Sequence, residues 1–204
     1  MAEGAGEVVK FFKSVGADLA VDIFLDGKFY DIPTTVGKAT AVVANLGVVM
    51  INVHASAGID AMFAAVDNKK SAKVLAVTVL TTREENDAFL DFGAPIKAKV
   101  LHFARNAKLA GVDGIICSPQ ELEFLGKRRE LKGLLRVTPG VRPQWASKND
   151  QERAMTPGEA VSFGADYLVI GRPITRPPKE IGTPVQAIQS INEEIEAALA
   201  AMKS

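Results

Sequence analysis

The sequence predicts an α/β fold: a parallel sheet of about six βα units in a single barrel-type domain covering residues 1–204. Three observations carry this. Short, almost continuously apolar runs alternate with Ala-rich segments of helical period, and regular β-then-α order makes a parallel sheet with right-handed crossovers. The runs themselves read as strands covered on both faces, which lack the polar alternation of a half-exposed strand. Finally, a Gly-Val/Ala-Asp signature recurs just before a run, at Gly16-Ala17-Asp18, Gly111-Val112-Asp113 and Gly164-Ala165-Asp166. Glycine there ends a helix in the left-handed conformation and hands the chain to the next strand.

In order, the strand runs are LAVDIFL (19–25), VVMINV (48–53), VLAVTVL (74–80), GIICS (114–118), GLLRVTP (133–139) and DYLVIG (166–171). Helix-periodic segments lie between and after them, at 34–47, 58–68, 96–111, 119–128, 156–165 and 184–202. No Pro/Ser-rich linker interrupts the series, so one domain is expected.

Composition narrows the function. Twenty-four Lys and Arg balance twenty-four Asp and Glu, giving a formal net charge of zero. Nucleic-acid and anionic-membrane binders depend on excess positive charge, so neither partner is expected. The lone Cys117 forms no internal disulfide, and with two His it makes no usual structural zinc site. No stretch of about 18 apolar residues and no signal-like N-terminus is seen, and a cytoplasmic protein is expected.

Chemistry-bearing residues gather where strands should end. The stretch IFLDGKFYDIPTT (23–35) places Asp26, Lys28 and Asp31 at the close of the first run. Residues i and i+2 of a strand share a face, so Asp26 and Lys28 are expected side by side, with Asp31 beyond the strand. Pro33 bars helix at Ile32. Flanking carboxylates favour the protonated lysine. A solvated ion-pair cluster would account for the spacing equally well. The other strand ends add to it: His54 in NVHASAG, Thr81 and Thr82 in TVLTT, Gly140 and Arg142 in VTPGVRP, Gly171 and Arg172 in VIGRPIT. Barrel enzymes carry their sites at C-terminal strand ends, often with a phosphate site after the last two strands. Glycine permits close backbone approach, and arginine grips phosphate bidentately.

Together, FLDGKFYDIPTTV, NVHASAG, AVTVLT, VTPGVRP, NDQERAMTP and GADYLVIGRPIT resemble the orotidine 5′-phosphate decarboxylase family, bacterial type, from about Gly6 to the C-terminus. The Asp-x-Lys-x-x-Asp element is shared with sugar-phosphate relatives such as 3-keto-gulonate-phosphate decarboxylase, for which a metal requirement would speak; the later motifs are specific to the orotidylate enzyme. The resemblance implies a (β/α)8 TIM-barrel type fold and conversion of orotidine 5′-monophosphate to UMP in de novo pyrimidine biosynthesis. It implies that Lys28 gives the proton to C6, that Asp26 holds Lys28 beside the substrate carboxylate, and that Asp31 and Thr35 reach the other subunit's site in a homodimer. Thr81, Arg142, Gln151, Gly171 and Arg172 would bind substrate, the last two at the 5′-phosphate and Gln151 between phosphate and base. No metal or organic cofactor is implied.

The chain departs from the family pattern in three places. Gly27 stands where the family usually has Leu, and Tyr30 where it has His. The third departure is larger: the family's first two strands, with a ribose-binding Asp and the first catalytic Lys, have no counterpart before VVKFF. The fold is therefore expected as an N-terminally shortened barrel. A start-site error, a fragment or an engineered deletion is the expected cause, ahead of a pseudoenzyme or a chain completed by a partner. An alternative function follows: a catalytically impaired, nucleotide-binding relative.

Overall fold

A computed structural model describes residues 5–16, 22–146 and 155–203. In chain order the elements are α1 (Ala5–Gly16), β1 (Phe24–Phe29), α2 (Pro33–Ala44), β2 (Met50–His54), α3 (Ile59–Asn68), β3 (Lys73–Val77), α4 (Glu85–Phe92), α5 (Ile96–Leu109), β4 (Gly114–Ile116), α6 (Leu122–Gly126), β5 (Leu135–Pro139), α7 (Pro157–Ser162), β6 (Tyr167–Val169), α8 (Arg172–Thr175) and α9 (Pro184–Ala201). They fall into two compact units, Met1–Thr78 with Ala98–Ile115, and Val79–Lys97 with Ile116–Ser204.

In the first unit the strand order is β1-β2-β3-β4. β1 pairs β2 in parallel, and β2 pairs β3 in unbroken parallel register from Met50↔Lys73 to His54↔Val77. The interior is made by Ile51, Val53, Val74, Leu75 and Ala76, all essentially without solvent contact. That is the both-faces burial expected of near-continuous apolar runs. A second apolar cluster joins Val9 of α1 to Val43, Ala44, Val48, Ile51 and Ala72, with Ile23, Leu25, Phe29 and Leu46 packed against it. α2 starts where Pro33 dictates: Ile32 is extended (φ −61°, ψ 154°), and proline fills the first turn, where its missing N–H costs nothing.

In the second unit β5 and β6 pair in parallel from Val137↔Tyr167 to Pro139↔Val169. α7 and α9 are each opened by a reciprocal capping box, Thr156 with Glu159 and Thr183 with Gln186. α7 packs on α9 through Gly158, whose N–H donates to Glu194 Oε1 at 3.0 Å.

The Gly-x-Asp signature has a structural reason. Gly111 and Gly164 take positive φ (74° and 92°). The next residues, Val112 and Ala165, donate back to Ala107 O and Ala160 O, closing the helix ends. Each aspartate then braces the preceding strand: Asp113 Oδ2 accepts the Val74 N–H at 2.8 Å and pairs with Lys69, while Asp166 Oδ2 accepts the Arg136 N–H at 2.7 Å. The third copy, Gly16-Ala17-Asp18, runs outside the described residues after Gly16.

Several expected boundaries move. β1, expected at 19–25, extends to Phe29 and carries the charges within the strand, because pairing with β2 continues to Phe29↔Val53. The segment 119–128 is a 3-10 turn followed by the five-residue α6. α4 has no counterpart among the expected helices. Its Phe89 and Leu90 are exposed and its inward face is narrow, made by buried Ala88 and half-buried Phe92, while Glu84 and Asp87 bond reciprocally at its start.

Candidate active site

Asp26 and Lys28 meet, but not by simple strand alternation. Between Leu25↔Ile51 and Phe29↔Val53, β1 spends four steps where β2 spends two, a bulge. Lys28 sits in it with φ 45°, left-handed backbone that costs a non-glycine residue roughly 1–2 kcal/mol. The expectation that i and i+2 would share a face thus reaches the right pair through a different backbone. Lys28 Nζ donates to Asp26 Oδ2 at 2.6 Å. Both side chains are about half exposed, 45% and 50%, so the pair adds at most about 1 kcal/mol to stability. Its importance is positional: it fixes an ammonium at a strand end.

Asn52, in the middle of β2, completes the group. It is fully buried. Its Nδ2 donates to Asp26 Oδ1 at 2.5 Å, and its Oδ1 accepts the Lys28 backbone N–H at 2.7 Å. Sequence reasoning did not single it out. The available signal was one amide inside the apolar run VVMINV, since a buried polar side chain requires partners.

His54 closes β2, half-buried, its ring edge-on to Tyr30 at 5.6 Å between centroids. Burial, and then the charge of Lys28, push its pKa below the ordinary value, with Asp26 opposing. The imidazole is therefore neutral at pH 7, and the cluster's positive charge is concentrated on Lys28. Asp31 lies past β1, exposed, where Oδ1 accepts the Ile32 N–H at 2.7 Å. Among the described residues it makes no ion pair with Lys28. Thr35 is exposed in the first turn of α2.

The remaining candidates belong to the second unit. Thr81 is exposed in the turn after β3. Arg142, in the loop after β5, is half-buried; its N–H donates to Met155 O at 2.9 Å, and its Nε is buried without a hydrogen-bond partner among the described residues. Gly171 precedes α8 and is exposed, and a Cβ there would meet nothing within 4 Å, so its backbone is open to approach. Arg172, next to it, is also exposed. Gln151 lies outside the described residues. Among the described residues no group of three or more His, Cys, Asp or Glu is placed to hold a metal ion, and no helix is long and apolar enough to cross a membrane.

Comparison with known proteins supports one family. Residues 1–189 match the family model described as Orotidine 5'-phosphate decarboxylase / HUMPS family. A relative from Geobacter sp. (strain M21), named orotidine 5′-phosphate decarboxylase, is 48% identical over 86% of this chain and 75% of its own length. One of the same name from Pseudoalteromonas translucida is 44% identical over 88% of this chain and 77% of its own. The crystal structure of orotidine 5′-phosphate decarboxylase from Lactobacillus acidophilus superposes with a TM-score of 0.76 at 32% identity, covering 94% of this chain and 81% of that one. The six strands and their alternating helices are accordingly of TIM-barrel type. With a match that takes in the Asp26–Lys28 bulge and the Gly171-Arg172 turn alike, the chain belongs to the orotidine 5′-phosphate decarboxylase / HUMPS family.

Proposed function

We propose that the chain decarboxylates orotidine 5′-monophosphate to UMP, a carboxy-lyase reaction of pyrimidine biosynthesis in the cytoplasm. The observation that carries this reading is the Lys28 ammonium, held 2.6 Å from Asp26 at a strand end, in a chain of this family. The carboxylate leaves as carbon dioxide, and the electron pair of its bond to C6 stays on C6, with no ring π-orbital to delocalise it. A cation fixed at that carbon stabilises the charge as it develops, without reorganising during the reaction. Lys28 Nζ then gives a proton to C6, forming the C6–H bond of UMP, and regains one from water. Asp26 keeps the ammonium aimed; a neutral His54 leaves that charge undivided.

The other assignments follow the family pattern. Gly171 and Arg172 take the 5′-phosphate, Gln151 spans phosphate and base, and Thr81 and Arg142 line the substrate. Binding energy from the phosphate holds the ring while the chemistry occurs. The active form is a homodimer in which Asp31 and Thr35 serve the neighbouring subunit's site.

The test is UMP formation from orotidylate by the purified chain, followed by the change in ultraviolet absorbance. The wild type turns over, and Lys28→Ala lowers kcat by about 1,000-fold, within the range for loss of a positioned proton donor. Wild-type protein that is folded and does not decarboxylate orotidylate, or a Lys28→Ala protein that keeps its rate, would overturn the proposal.

A further inference from the structure

A buried side chain of β2 hydrogen-bonds to the bulge that carries Lys28. Asn52 is fully buried on a strand whose neighbouring side chains are aliphatic. An amide in such surroundings is costly unless both of its ends are satisfied. Both ends here go to the bulge. The orientation is unambiguous, because a backbone N–H can only donate and an ionised carboxylate can only accept. Asn52 Oδ1 therefore faces Lys28 N at 2.7 Å, and Nδ2 faces Asp26 Oδ1 at 2.5 Å. Asp26 Oδ2 is left for Lys28 Nζ at 2.6 Å. The bonds close a ring: Asn52 to Asp26, Asp26 to the Lys28 ammonium, and the Lys28 backbone back to Asn52.

We propose that Asn52 is a positioning residue for the reaction, setting the direction of the Lys28 ammonium through the Asp26 carboxylate and the Lys28 backbone together. This rests on the proposed decarboxylation. The two bonds do different work. The one to the Lys28 N–H stabilises a left-handed backbone (φ 45°) that is disfavoured for any residue with a side chain. The one to Asp26 Oδ1 stops the carboxylate from rotating, so that the same oxygen always meets the ammonium. A strand alone gives neither, since the bulge removes the regular ladder that would otherwise orient the side chain. The buried amide of β2 thereby turns a flexible, half-exposed ion pair into a fixed one.

Two variants separate the bonds. Asn52→Leu keeps the approximate shape and removes both bonds. Asn52→Asp keeps the acceptor for Lys28 N–H, and donates to Asp26 only while the introduced carboxyl is protonated. With orotidylate, Asn52→Leu should lower kcat by about 100-fold, the cost of a small misplacement of a reacting group, with KM changed only a few-fold. Asn52→Asp should recover part of that loss at acidic pH and lose it as pH rises, a limb absent from the wild-type profile. A folded Asn52→Leu protein with wild-type kcat, or an Asn52→Asp profile parallel to wild type, overturns the proposal while leaving the decarboxylase reading intact. Should the wild type itself be inactive, that reading fails first. Hydrogen exchange at the Lys28 amide then decides whether Asn52 fixes the bulge: protection in wild type and Asn52→Asp but not in Asn52→Leu supports it, and equal exchange in all three overturns it.

Discussion

Glu121 is a buried carboxyl outside the candidate site. Its Oε2 accepts the Ser118 N–H at 2.8 Å in a capping box, yet burial dominates and pushes its pKa up to about 7. The folded chain thus keeps a proton that the unfolded chain releases near its ordinary value of 4.5. Between those two pH values the native state binds more protons, so stability falls as pH rises, by about 3 kcal/mol in all. Glu121→Gln retains the acceptor oxygen and removes the charge. Its melting temperature should match wild type near pH 4.5 and exceed it at pH 8; a constant difference at both would contradict the assignment. His54 has the opposite slope. Its lowered pKa means the unfolded chain takes up a proton first, so its contribution is complete above about pH 6.5 and declines as pH falls below that.

At the scale of elements, the contact of α7 with α9 depends on the lack of a side chain at Gly158. A Cβ there would lie 3.3 Å from both the Glu194 backbone oxygen and Ala198 Cβ. α7 is only six residues long and is pinned by its Thr156 cap, so it has little freedom to shift. Gly158→Val should therefore destabilise the protein by about 2 kcal/mol, read from urea denaturation; an unchanged midpoint would show that α7 can slide. Most elements were readable from period alone. The runs at 48–53 and 74–80 became β2 and β3, and the segment at 184–202 became α9, because apolar periodicity reports directly on what must be buried. α4 was not readable, since its apolar face is narrow, with Ala88 alone fully buried, and large apolar residues stand exposed on its other side. The bulge in β1 was not either: Asn52, the buried amide bonded to it, stands twenty-four residues from Lys28.

The whole molecule enters through the proposed dimer. With Asp31 working in the neighbour's site, Lys28→Ala and Asp31→Ala subunits complement each other. In a mixed dimer one site has both defects and the other has none. Equal mixing with free exchange leaves half the dimers mixed, each with one intact site, so activity should return to about a quarter of wild type from two nearly inactive proteins. No recovery in a mixture shown by mass spectrometry to contain mixed dimers would mean that Asp31 acts within its own subunit.

By itself the sequence determined the fold class, the order of the strands and the residues that bear charge at their ends. These follow from local pattern: burial sets the period, glycine and proline set the ends, and the chemistry of Asp, Lys and Arg is legible wherever they stand. Tertiary structure decided how Asp26 and Lys28 meet. Regular alternation would have paired them on a flat strand. The structure instead bends the strand, places Lys28 in a left-handed conformation and secures it from β2 with a buried amide. A single apolar run cannot announce such a bond, because the partner that satisfies Asn52 is supplied by another strand.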